Sequence, residues 1–253
     1  MTNQVETSLG IPRDEFLAHV RRSLGRGPDV LQPDVSNPVL QETLAQMESR
    51  AEEARRRLEA ERESLVDRFA ETAQLRNWNL FWTGSSEHAV SYIVEVAQAH
   101  SGGQVARSDQ SALTDLPLDD ALESLGIRSV LVKRGDERTQ DSLRQQIVES
   151  GVGVTGADFA VAETGSVVVL PRQGLSRLVS LVPPVHVAVV RPQDVVGSLD
   201  DVFLFRRLEY HGNGGDMGSY VNFITGPSRT ADIEMKLVVG VHGPREVHLV
   251  LLG

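Results

Sequence analysis

The sequence contains no cysteine, and that absence excludes two roles at once. The chain can form no disulfide of its own and can offer no thiolate to an iron–sulfur cluster, so a redox centre of that kind must belong to a partner. Basic residues are in deficit: 25 Lys and Arg stand against 35 Asp and Glu, a net charge of −10. A nucleic-acid footprint needs a basic face, so that class of partner is set aside, while a local cationic pocket for a small anion is not. Long hydrophobic runs are missing too. No apolar stretch approaches the roughly 18 residues of a membrane span. The first residues, MTNQVETS, lack the basic and apolar regions of a secretion signal, and a cytoplasmic location is the expectation. The histidines follow no metal-ligand spacing such as H-E-x-x-H, so no metal is expected in this chain.

What is present reads as α/β. With 253 residues and 40% hydrophobic content, the chain suits one large domain with appendages. Residues 11–27 predict a short helix, with Phe16, Val20 and Leu24 at four-residue spacing and Pro12 in the first turn. Three prolines in GPDVLQPDVSNP, residues 27–38, predict an extended linker. A long helix over 38–73 follows, its Leu44, Met47, Ala51, Ala54, Leu58, Leu65 and Phe69 spaced by threes and fours. That stripe reads either as the buried side of a solvated amphipathic helix or as a narrow docking seam for another chain.

From Trp78 the pattern alternates. Strands are expected at 79–83, 104–108 and 129–133, with helices at 85–100, 116–125 and 138–150. This is βαβ material and predicts a parallel sheet with helices on its faces. After Gly151 the chain is β-rich, and only 192–208 and 229–238 read as helices. Strands so closely spaced imply hairpins joined to the parallel core. The expected division is a helical N-terminal arm over 1–73 and an α/β domain over 74–253.

Several stretches can carry chemistry. In GADFAVAETGS, Glu163 sits at a strand-to-strand turn with Thr164, Gly165 and Ser166. Such a carboxylate serves either as a nucleophile or general base, or as a turn residue that satisfies backbone N–H groups. In TGPSRTADIE, Gly226 and Pro227 make a turn, Ser228 or Thr230 can cap the expected helix, and Asp232 and Glu234 complement its dipole. Arg229 fits that cap only if an anion joins it, which makes the segment a candidate carboxylate or phosphate site. His242 lies between glycines in GVHGPREVH, where a ligand can approach closely; His186 and His248 alternate with apolar neighbours and read as strand residues. The Gly-rich stretch YHGNGGDMGSY lacks the G-x-G-x-x-G order and reads as a loop.

Four segments, VTGADFAVAETGS, LVPPVHVAVV, ITGPSRTADIE and VGVHGPREVHLVLL, occur in this order. Together they resemble the LUD-domain family, in its lactate-utilisation protein C branch, over about residues 78–252. The resemblance implies a Rossmann-like, mostly parallel sheet with added β-hairpin structure, of the NagB/RpiA/CoA-transferase type. It implies a part in oxidising L-lactate to pyruvate beside iron–sulfur partner proteins, with no cofactor held by this chain. A homo-oligomer is left open. Three molecular roles follow as alternatives: an accessory subunit that binds a small anionic metabolite, an enzyme using Glu163 for acyl or CoA transfer, or a scaffold that docks partners through the long helix.

Overall fold

The fold rests on apolar strands whose two faces bury different helices. The computed structural model describes residues 11–25, 38–100, 102–133, 139–170, 176–215, 217–218, 220–231 and 236–253. Most of the linker expected at 27–38 lies outside the described residues, as do Asp232 and Glu234. The chain divides into two compact units, Met1–Thr43 and Leu44–Gly253.

The first unit holds helix α1 (Arg13–Ser23), with Asp14 and Glu15 in its first turn and Arg21 and Arg22 in its last. Those charges complement the helix dipole. A single turn of 3₁₀ helix follows at Pro38–Gln41.

The second unit opens with α2 (Leu44–Ala60) and α3 (Arg62–Leu75). The single long helix expected over 38–73 is thus interrupted, at Glu61, where φ is −102° and ψ is 8°. The reason is that the two halves bury their stripes against different neighbours. Ala51 and Ala54 of α2 pack with Leu204, Phe205 and Leu208 of α9 (Leu199–Gly212). Leu65, Val66, Phe69, Ala70 and Ala73 of α3 enter the main core. The stripe on α2 is therefore filled from within the chain, by α9 at Ala51 and Ala54 and by the main core at Leu58.

The remaining strands and helices run β1 (Asn79–Thr83), α4 (Ser86–His100), β2 (Gln104–Ser108), α5 (Ser111–Thr114), α6 (Leu118–Glu123), β3 (Arg128–Val132), α7 (Gln140–Glu149) and β4 (Val152–Gly156). Then come β5 (Phe159–Val161), β6 (Ser166–Val169), α8 (Ser176–Leu181), β7 (Val185–Val190), β8 (Val195–Val196), α9, β9 (Asn222–Ile224), β10 (Arg229–Ala231), β11 (Leu237–Val239) and β12 (Glu246–Leu252). Six strands form a parallel sheet in the order β1-β12-β7-β4-β2-β3. A smaller mixed sheet has the order β8-β5-β6-β9, and β10 and β11 form an antiparallel pair.

Period-two alternation explains the layering. Val185, Val187, Val189 and Val250 face α4, α5 and α6. Ala188, Val190, Val247, Leu249 and Leu251 face α3 and the smaller sheet. On the same side as α3, α7 and α8 cover Ala106, Val130 and Val132.

Three local expectations are corrected: the helix expected over 192–208 starts only at Leu199, after a 3₁₀ turn at Pro192–Asp194 and strand β8. Residues 176–181 form helix α8, although the surrounding run reads as β-rich; Val179 sinks between Leu143 and Ile147, and the helix ends before Pro183 and Pro184. The helix expected over 229–238 is not formed at its described ends, 229–231 and 237–238. They hold β10 and β11, with Arg229 opposite Val239 and Ala231 opposite Leu237.

Candidate functional site

The turn between β5 and β6, Ala162 to Gly165, is pressed against the end of α3. Gly165 has φ +68°, and a Cβ there would lie 2.7 Å from the Thr72 carbonyl carbon and oxygen. The Trp78 indole Nε1 donates to the Gly165 carbonyl at 3.1 Å and fixes the turn from below. A second turn approaches the same helix end: Gly226 has φ +95°, and a Cβ there would lie 2.1 Å from the Arg76 carbonyl oxygen. Only glycine permits both the dihedral angles and the approach.

Between the two turns is a cleft of about 360 Å³, lined by Arg76, Thr164, Ser166, Leu199, Phe203, Phe223 and Thr225. Its polar side is a chain of hydroxyls. Thr164 Oγ1 donates to Ser166 Oγ at 2.8 Å, and Ser166 Oγ lies 2.7 Å from Thr225 Oγ1. One proton lies between Ser166 and Thr225, and the other of these two hydroxyls keeps its own proton for a further acceptor. Arg76 Nε donates to the Thr164 carbonyl at 3.2 Å, which leaves its terminal nitrogens for another acceptor. The end of α3 presents the negative pole of a helix, so the Arg76 guanidinium is what makes this spot suitable for an anion. Phe203, Phe223 and Leu199 supply the apolar side.

The residues singled out in the sequence separate into two groups. Thr164 and Ser166 line the cleft, and Gly165 forms its wall. Glu163 is exposed beside them, and its Oε2 accepts from the Leu199 backbone N–H at 3.3 Å, at the first turn of α9. That position suits a carboxylate at the positive pole of a helix. Ser228, Arg229, Thr230 and His242 lie instead in and beside the β10–β11 hairpin. Ser228 caps no helix: its Oγ accepts from the His242 N–H at 3.2 Å, and its backbone carbonyl accepts from Gly240 N–H at 2.9 Å. Arg229 donates to Asn77 Oδ1. With a strand in place of the helix, the anion site expected at a helix N-terminus around Arg229 loses its structural basis. Glu163, Arg229 and His242 each have different partners and share none.

Sequence reasoning missed Arg76, Thr225, Leu199, Phe203 and Phe223. Thr225 directly precedes the Gly226–Pro227 turn, and that adjacency was its one signal. Arg76 ends an amphipathic helix, and nothing local marks it out.

Beneath the cleft, His186 is fully buried on β7, with Nε2 2.8 Å from Thr155 Oγ1 and its ring 6.2 Å from Trp78. Burial, with a smaller contribution from His248, lowers its pKa from 6.5 to about 3. His248 occupies the other face of the sheet, between the Tyr92 hydroxyl at 2.8 Å and Glu246 Oε1 at 2.9 Å. Its pKa is lowered by burial, against the opposing pull of Glu246.

These features define an α/β protein with a six-stranded parallel sheet, an appended mixed sheet, and a hydroxyl-lined cleft with one guanidinium. The chain belongs to the LUD-domain family, whose model matches residues 66–252. It is similar to Lactate utilization protein C of Halalkalibacterium halodurans, 37% identical over 131 residues, an alignment covering 50% of this chain and 56% of that protein. That match therefore takes in just over half of the relative. Lactate utilization protein C of Geobacillus kaustophilus is 28% identical over 246 residues, 95% of each chain. A crystal structure of a DUF162 family protein from Deinococcus radiodurans shares the fold, with a TM-score of 0.50 at 17% identity, over 76% of this chain and 98% of that one. Among the described residues no helix is long and apolar enough to cross a membrane.

Proposed function

We propose that this chain is a cytoplasmic component of a lactate-utilisation system and that its hydroxyl-lined cleft binds a small 2-hydroxy or 2-oxo carboxylate. The observation that carries the reading is the pairing of Arg76 with the Thr164–Ser166–Thr225 hydroxyls beside an apolar wall. A carboxylate suits the guanidinium, a hydroxyl or keto oxygen suits the Ser166–Thr225 pair, and a methyl group suits Phe223. Oxidising lactate to pyruvate removes two electrons and two protons. In this reading the electrons pass to a centre on a partner, for which iron–sulfur subunits are the candidates, since a chain without cysteine can ligate no such cluster through thiolates.

Calorimetric titration of the full chain with L-lactate and with pyruvate tests the cleft. Arg76→Ala is expected to weaken binding by about 10- to 100-fold, the loss of one charge-assisted contact, while the unfolding temperature stays unchanged. Equal affinity in both proteins, or no binding at all, removes the cleft claim. The pathway claim is separate, and growth on lactate after deletion of the gene decides it.

Glu163 has a structural role in this reading, as the carboxylate at the start of α9. Glu163→Gln is then expected to cost about 0.3–1 kcal/mol of stability and to leave growth on lactate intact. If growth fails while the variant remains folded, Glu163 acts as nucleophile or base and the chain is an enzyme in its own right.

A further inference from the structure

A second and larger cavity, of about 550 Å³, lies away from the hydroxyl cleft and falls within the size range of small-molecule sites. It opens beyond the carboxyl ends of two central strands. Asp158 and Phe159 follow β4, Gln193 and Asp194 follow β7, and all four line it. Open parallel sheets place ligands outside those strand ends. The opposite wall comes from α2 and the start of α3, which contribute Arg55, Arg56 and Arg62.

The charges in this cavity are unequally engaged. Asp194 is held by Arg191, through Nε at 2.9 Å and Nη2 at 3.0 Å. Asp158 Oδ2 accepts from the Leu170 N–H at 2.7 Å and from Gln110 Nε2 at 3.1 Å. These two carboxylates are therefore turned to protein donors, and the third carboxylate of the lining, Glu59, faces Arg62. Arg62 pairs with Glu59 and donates to the Pro192 carbonyl at 2.9 Å. Arg55 reaches Glu52 only at 3.6 Å, and both side chains are more than half exposed. Arg56 has no carboxylate within ion-pair distance among the described residues. Two guanidiniums, with a third close by, are thus available to an anion.

The floor is apolar. The Phe159 and Phe205 rings lie within 5° of parallel with centroids 6.2 Å apart, and the Arg55 guanidinium sits 5.5 Å over Phe205. A single carboxylate would occupy one guanidinium; several phosphate oxygens suit two, with a third close by. A flat ring suits the aromatic floor.

We propose that this cavity binds a nucleoside diphosphate or triphosphate, with Arg55 and Arg56 at the phosphates, Arg62 beside them, and the base against Phe159. The proposal is independent of the carboxylate reading, since it rests on a different cavity. Calorimetric titration of the full chain with ADP, pyrophosphate and adenosine tests it. ADP is expected to bind, and each fragment to bind at least about tenfold more weakly. The Arg55→Ala/Arg56→Ala double variant, and Arg56→Glu alone, are expected to weaken ADP at least about tenfold without moving the unfolding temperature of the free protein. Arg76→Ala is expected to leave ADP affinity unchanged. No binding of ADP or ATP, pyrophosphate binding as tightly as ADP, or full affinity in the arginine variants overturns the proposal.

Discussion

Gly226→Ala is expected to cost more stability than any other change at the cleft. Two penalties coincide at this residue. Its φ of +95° is one that residues with a Cβ rarely adopt, and the added Cβ would lie 2.1 Å from the Arg76 carbonyl oxygen. Strain in the dihedral alone is worth about 1–2 kcal/mol. The contact cannot be relieved by rotating a side chain, because the atom it meets is backbone. A loss on the order of 3–5 kcal/mol follows, read as a fall of roughly 10 °C in the thermal midpoint. Gly214→Ala is the matched control, since Gly214 has φ +65° with nothing within 4 Å of an added Cβ. It carries the dihedral penalty without the contact. If the two variants unfold at the same temperature, the tight seating of the 226 turn on α3 is wrong. Because Thr225 and Arg76 flank that seating, Gly226→Ala is also expected to abolish lactate binding in the cleft.

Part of this site was legible in the sequence, and the division has a physical basis. The parallel strands announce themselves because burial on both faces demands runs such as Val185 to Val190, whose residues are all buried. The turn at Glu163 to Ser166 was legible for a similar reason: a carboxylate, a glycine and two hydroxyls interrupt two apolar strands. Arg229 was misread because Thr230, Ala231, Asp232 and Glu234 have the composition of a helix start. Tertiary pairing decides otherwise, with two β-branched residues, Val238 and Val239, drawing Thr230 and Arg229 into an antiparallel pair. Arg76 was illegible for a different reason. Its position at the cleft depends on two glycine turns, Gly165 and Gly226, from segments far along the chain. No local pattern encodes such a meeting. The break at Glu61 was hidden likewise, since the apolar spacing runs on through it while the packing partner changes from α9 to the sheet.

His186 leads to the second large effect, a steep acid sensitivity. Its ring is fully buried on β7; Nε2 meets Thr155, and Nδ1 has no partner among the described residues. Folded, it titrates at about 3; unfolded, near 6.5. Above pH 6.5 neither state carries the charge, and the residue adds no pH dependence. As pH falls below 6.5 the unfolded chain takes up a proton that the folded chain refuses. Stability from this group therefore drops by about 1.4 kcal/mol per pH unit until the folded ring protonates. Denaturant unfolding at pH 6.5 and pH 4.5 compares the wild type with His186→Gln, which keeps a polar side chain but does not titrate there. The variant is expected to be less stable at neutral pH, because it repacks a buried site. Between the two pH values the wild type is expected to lose about 2–3 kcal/mol more than the variant. Carboxylates elsewhere contribute equally to both proteins and cancel in the difference. Parallel losses in the two proteins would mean that water reaches the ring and that the burial of His186 beneath Trp78 is not maintained in solution.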